Sequence, residues 1–338
     1  MSGLDFAVLY GAAFLIPLAT TLIVTPLAAA LARRWGVVDQ PGARKTHLVA
    51  TPYLGGAAIV AGFVVAGVVL GSTAEQTAVI GACAVVVFLL GLFDDVRGLG
   101  AWTRVGIEAL LAVVLWFADV RAGFFDVPAI DLALTIAWIV VITNSVNLID
   151  NMDGLASGVT AIASLAYFCI AAAQGDYLVA SMAAALAGAS VGFLRHNFPP
   201  ARIFLGDAGS LLLGFLLAVL GLLLDLDVAN DVVRIGIQAL ILGVPVFDTA
   251  LVVVSRLRGG RPVLLGGTDH SSHRLVAFGL SARGVAAVTF LVQLACSTIA
   301  IAIVNAPEIA LPVTIAWLAL GLSVSVALTL RARRRTPA

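Results

Sequence analysis

The chain has 338 residues, of which 61% are hydrophobic and 11% charged, and its mean hydropathy is +1.10. A soluble domain carries roughly 25% charged residues, so the composition excludes a soluble globule and indicates an all-α, polytopic integral membrane protein. Nineteen basic residues balance nineteen acidic ones, and no nucleic-acid partner is expected.

In chain order, about eleven apolar runs reach the ~20 residues needed to cross a bilayer. They lie near 5–32, 54–71, 77–93, 103–120, 131–148, 156–174, 177–195, 208–226, 232–255, 284–304 and 310–330. The first run is long and lacks a basic leader, which reads as a retained helix and not a cleaved signal peptide. The seams are short: 72–76 separates the second and third runs, and Gly175–Asp176 the sixth and seventh. Cys83, Cys169 and Cys296 sit inside apolar runs without metal-type spacing, so they read as packing residues. No repeat or soluble domain is evident. A single membrane domain over 1–338 is expected, with cytoplasmic loops at 34–53, 94–103, 144–155, 195–207 and 256–283.

The basic residues orient these runs. Seventeen of the nineteen Lys and Arg fall on one set of alternate connections and the C-terminal tail, leaving Arg121 and Arg234 for the other side. The positive-inside rule makes the crowded side cytoplasmic, with the N-terminus outside and the C-terminus inside. The four histidines share that side with Asp94, Asp95, Asp150, Asp153, Asp207 and Asp269. Asp126, Asp131, Asp176, Asp225, Asp227 and Asp231 read as solvated charges of the outer loops. Glu108 lies within the fourth run, four residues after Arg104, and reads as its inward-facing partner.

Five cytoplasmic stretches carry chemistry. Pro41 to His47 offers Arg44 and Lys45 to phosphate, and Gly55–Gly56 follow after Thr51–Pro52. Asp94 and Asp95 end the third run, where paired carboxylates suit a metal or phosphate-transfer site, or equally a helix cap. In the third stretch, Asn144, Asn147 and Asn151 recur at helical spacing, with Asp150, Asp153 and Gly154 beside them. Such groups at a membrane helix end are costly unless they face water, a partner or an ion. Asp207 opens the eighth run within Phe204 to Ser210, as a cap or a hard-cation ligand. The fifth stretch holds Arg256, Arg258 and Arg261 with Asp269, His270, His273 and Arg274. Its His-x-x-His spacing permits zinc, but an anionic phosphate gathered by Arg and His fits better.

Together these stretches resemble the polyprenyl-phosphate N-acetylhexosamine-1-phosphate transferases. The resemblance runs from Asp39 to Leu275 and the motifs keep the family's order. It is carried by Arg44, Lys45 and His47; Thr51, Pro52, Gly55 and Gly56; Asp94 and Asp95; Asn144, Asn147, Leu148, Asp150, Asp153 and Gly154; and Phe204, Gly206, Asp207, Gly209 and Ser210.

The resemblance implies roles residue by residue. Asp207 would be the main magnesium ligand, with Asn147 the second and manganese an alternative ion. Asp94 and Asp95 would bind or deprotonate the lipid phosphate, so the catalytic set is Asp94, Asp95 and Asp207. Phe204 would stack on uracil, Asp150 and Asp153 lie in the nucleotide-recognising loop, and Asn144 would bind substrate. Lys45 and Arg104 would sit near the diphosphate, although the family usually has Lys where Arg104 stands. His270, His273 and Arg274 belong to a loop expected to close over the sugar phosphate. There the family commonly carries three clustered histidines, and this chain has serine in place of one, which leaves the sugar open.

The implied reaction moves a sugar-1-phosphate, GlcNAc-1-phosphate by the branch it resembles, from a UDP-sugar to undecaprenyl or decaprenyl phosphate at the inner (plasma) membrane. A homodimer is compatible with the resemblance. Two alternatives stay open: transfer of phospho-MurNAc-pentapeptide, and, from another class, a secondary transporter. Transporters tend to bind near the bilayer midplane between repeated halves, whereas here the polar residues gather at one face.

Overall fold

Helix is the default for a chain this apolar, because in hydrocarbon every backbone N–H and C=O must find an internal partner. The computed structural model describes residues 3–40, 50–69, 75–123, 127–226, 231–262 and 267–335. Lys45, with Arg44 and His47, lies outside the described residues, as do Asp126 and Asp227. The chain divides into two compact units, 1–225 and 226–338.

The first unit contains α1 (Gly3–Trp35), a two-residue pair of strands β1 (Val38–Asp39) and β2 (Thr51–Pro52), then α2 (Gly55–Val69), α3 (Glu75–Arg97) and α4 (Ala101–Phe117). Next come α5 (Pro128–Ile149), α6 (Leu155–Gln174), α7 (Tyr177–Asn197) and α8 (Gly206–Leu223). The strands pair antiparallel, Val38 opposite Pro52 and Asp39 opposite Thr51. The unit is built around α8, which is buried from Ala208 to Leu220 and packs against α2, α3, α5, α6 and α7. Close approach there depends on missing side chains. A Cβ on Gly56 would stand 2.5 Å from the Gly209 amide nitrogen, so α2 and α8 touch backbone to backbone.

The connections follow local chemistry. Gly175 ends α6 in the left-handed region at φ 76°, and the Asp176 side chain accepts the Val179 N–H at 3.0 Å to cap α7. Asp176 is therefore a cap and not a free loop charge. Asp131 also departs from the expectation of a solvated acid. It is 5% exposed in the first turn of α5, where the helix dipole favours a carboxylate.

The second unit contains α9 (Asp231–Ile241), α10 (Gly243–Arg258), α11 (Ser271–Ala277), α12 (Ala282–Val304), a 3-10 turn (Pro307–Ile309) and α13 (Ala310–Arg335). The sequence predicts one span over 232–255, but the chain bends by 92° between α9 and α10. Pro245 explains the break. It lacks an N–H to give the Ile241 carbonyl, and its ring crowds that carbonyl. The buried amide of Gln293 in α12 fills the gap: its Nε2 donates to Ile241 O at 2.7 Å, and its Oε1 accepts Val244 N–H at 3.1 Å.

Each predicted apolar run falls on helix. Among the described residues seven helices are long and apolar enough to cross a membrane, or eight if the bent pair is one span. The remaining runs fall on α2, α4 and α13; α2 and α4 are 15 and 17 residues long, and the apolar stretch of α13 recognised as a candidate covers only 311–321.

Candidate active site

The site of the first unit forms where α3 ends, α4 begins, α5 ends and α8 begins. Asp94 and Asp95 are the last-turn acids of α3, and their side chains take different roles. Asp95 turns its two oxygens to α8, accepting the Asp207 N–H at 2.8 Å and the Ala208 N–H at 3.1 Å. It serves α8 as the cap that the residue before the helix, Leu205, cannot provide. Gly206 makes this approach possible: its φ is 73°, and a Cβ there would lie 2.6 Å from Asp95 Oδ2.

Asp94 accepts the Leu99 N–H at 2.5 Å through Oδ1 and pairs with Arg104 Nη1 at 2.7 Å through Oδ2. The same Arg104 nitrogen reaches Asp207 Oδ2 at 3.2 Å. Asp207 is a third exposed, against 7% for Asp94, so Asp207 is the more accessible carboxylate. The sequence pairing of Arg104 with Glu108 is not what forms. Glu108 is fully buried and receives the Asn144 side-chain amide on Oε2, while its Oε1 has no hydrogen-bond partner among the described residues. Asn144 thus gives its amide to Glu108 and to the Val140 carbonyl.

Asn147, one turn on, does reach the cluster: its Nδ2 lies 2.6 Å from Asp207 Oδ1 and 2.9 Å from Ser210 Oγ. Asp150 follows α5 and is half-buried. Burial, and then the charges of Asp207, Asp95 and Asp153, push its carboxyl well above the usual carboxylate range. Two carboxylates, Asp94 and Asp207, thus share the one guanidinium of Arg104.

Two ties frame the cluster. Asp153 accepts the Ala201 N–H at 2.9 Å, and Asn197 joins both segments by accepting from Gly154 N at 3.0 Å and donating to Ile203 O at 3.0 Å. Phe204 is half-buried, with its N–H on Pro52 O at 2.8 Å and its carbonyl on Gly55 N at 3.1 Å. The β2–α2 corner therefore sets the backbone that carries Phe204 towards Asp207.

Asp207 and Asn147 suit a hard divalent cation. A half-turn of the Asn147 amide would set its oxygen beside that carboxylate. Among the described residues no three His, Cys, Asp or Glu side chains are arranged to hold a metal alone. Magnesium is held by one or two carboxylates together with waters and substrate phosphates, so Asp207 and Asn147 could serve it.

The second unit has a cluster of its own. Asp269 is gripped by Arg261 at 2.6 Å and Arg256 at 3.3 Å. Burial raises its carboxyl, but those two guanidiniums outweigh it and hold it below the usual range. Arg274 donates to the Asp269 carbonyl at 3.0 Å, and the rings of His270 and His273 are 6.0 Å apart. The Nδ1 of His270 lies 2.7 Å from Asp248 Oδ2.

Comparison with known proteins shows the family. A family described as Glycosyl transferase family 4 matches residues 77–225, the stretch holding Asp94, Arg104, Asn147 and Asp207. The probable undecaprenyl-phosphate N-acetylglucosaminyl 1-phosphate transferase of Bacillus subtilis (strain 168) is 37% identical over 305 residues, covering 87% of this chain and 85% of that protein. The chain belongs to glycosyl transferase family 4. Further relatives include the decaprenyl-phosphate N-acetylglucosaminephosphotransferase of Mycobacterium tuberculosis (strain ATCC 25618 / H37Rv), 33% identical over 302 residues and covering 77% of this chain and 74% of that protein. The phospho-N-acetylmuramoyl-pentapeptide-transferase of Moorella thermoacetica (strain ATCC 39073 / JCM 9320) is 32% identical over 272 residues, 71% and 82% of the two chains.

For this family 4 chain, sequence reasoning missed Asn197 and Asp248. Asn197 gave no signal, since an amide at a helix end is ordinary. Asp248 did: it is a lone acid inside the ninth apolar run, where an ionisable residue points to function.

Proposed function

We propose that the chain transfers GlcNAc-1-phosphate from UDP-GlcNAc to a polyprenyl phosphate at the cytoplasmic face of the inner (plasma) membrane. An oxygen of the lipid phosphate attacks the β-phosphorus of the donor. The bond from that phosphorus to the bridging oxygen breaks, its electron pair leaves with UMP, and a lipid diphosphate sugar remains. The observation that carries this reading is the contact of Asp207 with both Arg104 and Asn147 at one end of a bundle of apolar helices. An apolar lipid and a polar nucleotide can meet at such an end.

A phosphate monoester has its second pKa near 6, so the lipid phosphate is already largely dianionic at neutral pH. The difficulty is to bring two anions together. Arg104, held by Asp94, supplies one fixed positive charge for the diphosphate. Asp207 and Asn147 would hold magnesium or manganese, which when bound neutralises phosphate oxygens and the departing UMP. Asp95 fixes the start of α8 and with it Asp207. Phe204 is assigned to uracil and Asp150 and Asp153 to the nucleotide loop. Lys45 and the His270, His273 and Arg274 set are assigned to donor phosphates on their chemistry. The names of the Bacillus and Mycobacterium relatives favour GlcNAc, and the Moorella relative makes phospho-MurNAc-pentapeptide the second reading.

Purified protein in detergent, given UDP-GlcNAc and undecaprenyl phosphate, is expected to release UMP and to stop when EDTA removes the divalent cation. Asp207→Asn should lower turnover on the order of 10²-fold or more, with an unchanged thermal melt. UMP release from UDP-MurNAc-pentapeptide alone would change only the sugar. No metal-dependent UMP release from any UDP-sugar would overturn the transferase reading.

A further inference from the structure

Asp248 stands in the middle of α10 and is 1% exposed, yet no role falls to it so far. A carboxylate buried in an apolar helix is costly unless its oxygens are taken up. Both are, and both by one corner of chain. Oδ2 faces His270 Nδ1 at 2.7 Å, and Oδ1 accepts the Ser271 N–H at 2.7 Å. His270 itself is 3% exposed. The pair joins residues 22 apart in sequence and seats the start of α11, which also carries His273 and Arg274.

We propose that Asp248 is a positioning residue for the transferase: by accepting the Nδ1–H of His270 it commits the opposite nitrogen, Nε2, to a substrate phosphate.

The chemistry of imidazole makes this specific. A neutral ring carries its proton on one nitrogen only, and the hydrogen bond made by one nitrogen decides the state of the other. A carboxylate can only accept from Nδ1, so Nε2 is left as the acceptor of the neutral ring or as a donor once the ring is charged. The neighbouring ring differs. Burial, and then His270, hold His273 below the usual imidazole range, against the pull of Asp248 and Asp269. Asp269 is occupied by Arg256 and Arg261, and Arg274 by the Asp269 carbonyl. His270 is thus the imidazole with a carboxylate on its Nδ1, and Asp248 is that carboxylate.

A purely structural role is the competing account, because the Ser271 contact alone would anchor the loop. Asp248→Asn separates the two. Its amide oxygen can still accept from Ser271 N–H, while its NH₂ would face His270 Nδ1 and force the reversed tautomer. The inference rests on the transferase reading, so UMP release from UDP-GlcNAc and undecaprenyl phosphate is the readout. Asp248→Asn should lower kcat on the order of 10²-fold, alter KM for the donor less, and displace the pH–rate profile. The Asp248→Asn, His270→Ala double variant should be no slower than His270→Ala alone, since the carboxylate acts through the ring. His270→Asn, whose amide keeps a donor for Asp248 but has no Nε2, should fold with a wild-type melt and lose turnover, which covers the case in which Asp248→Asn does not fold. Wild-type kcat and pH profile in Asp248→Asn, losses that multiply in the double variant, or an active His270→Asn would each overturn the proposal with the transferase reading intact. An inactive wild-type protein would overturn that reading and this inference with it.

Discussion

Asp94 and Asp95 are neighbours in sequence with opposite tasks, and geometry separates them. Their position at the end of an apolar run marked both as functional, and the same logic picked out Asn147 and Asp207. What spacing could not show was which oxygen meets which proton. Arg104 meets Asp207 across 103 residues and Asp95 meets Ala208 across 113, and helical periodicity is silent on such pairings. It also placed Glu108 with Arg104 because they share a helical face, whereas a full burial site and the Asn144 amide decided otherwise. The cap predicts a division of effects. Asp95→Ala leaves two N–H groups of the first turn of α8 unpartnered and should cost about 1–2 kcal/mol of stability, read as a lowered melt in detergent. Equal melts for Asp95→Ala and wild type would remove the capping role.

Elements were far more legible than contacts, since a run of apolar residues long enough for a membrane leaves little choice but helix. The seam at Gly175–Asp176 could also be read, because glycine at a helix end is a local signal, although the cap that Asp176 gives α7 was not. The break between α9 and α10 could not. Leu240, Ile241 and Leu242 continue the apolar pattern without interruption, and the amide that makes the bend tolerable sits in α12, some fifty residues later. Only Pro245 hinted at it. Gln293→Leu tests the account. It would leave the Ile241 carbonyl and the Val244 N–H buried without a partner, at about 1–3 kcal/mol each, so the melt should fall clearly. A Gln293→Leu protein as stable as wild type would mean that the bend needs no such support.

Over the whole molecule the decisive asymmetry is charge. Arg33, Arg34, Arg97 and Arg195 end α1, α3 and α7, and the cluster around Asp207 lies at that same end of the first unit. Arg121, on the connection between α4 and α5, marks the opposite end. By the positive-inside rule we propose that the carboxylate cluster faces the cytosol, and the proposed reaction needs it there, because its UDP-sugar donor would come from the cytosol while a polyprenyl phosphate stays in the bilayer. A cysteine-free protein, with Cys83, Cys169 and Cys296 replaced by alanine, allows a direct test. A single cysteine at Arg121, whose side chain is 48% exposed, should react with a membrane-impermeant maleimide on intact spheroplasts. One at Arg258, exposed at the end of α10, should react only after the membrane is opened. The reversed pattern would turn the cluster outward, away from any nucleotide donor, and the orientation and the transferase proposal would fall together.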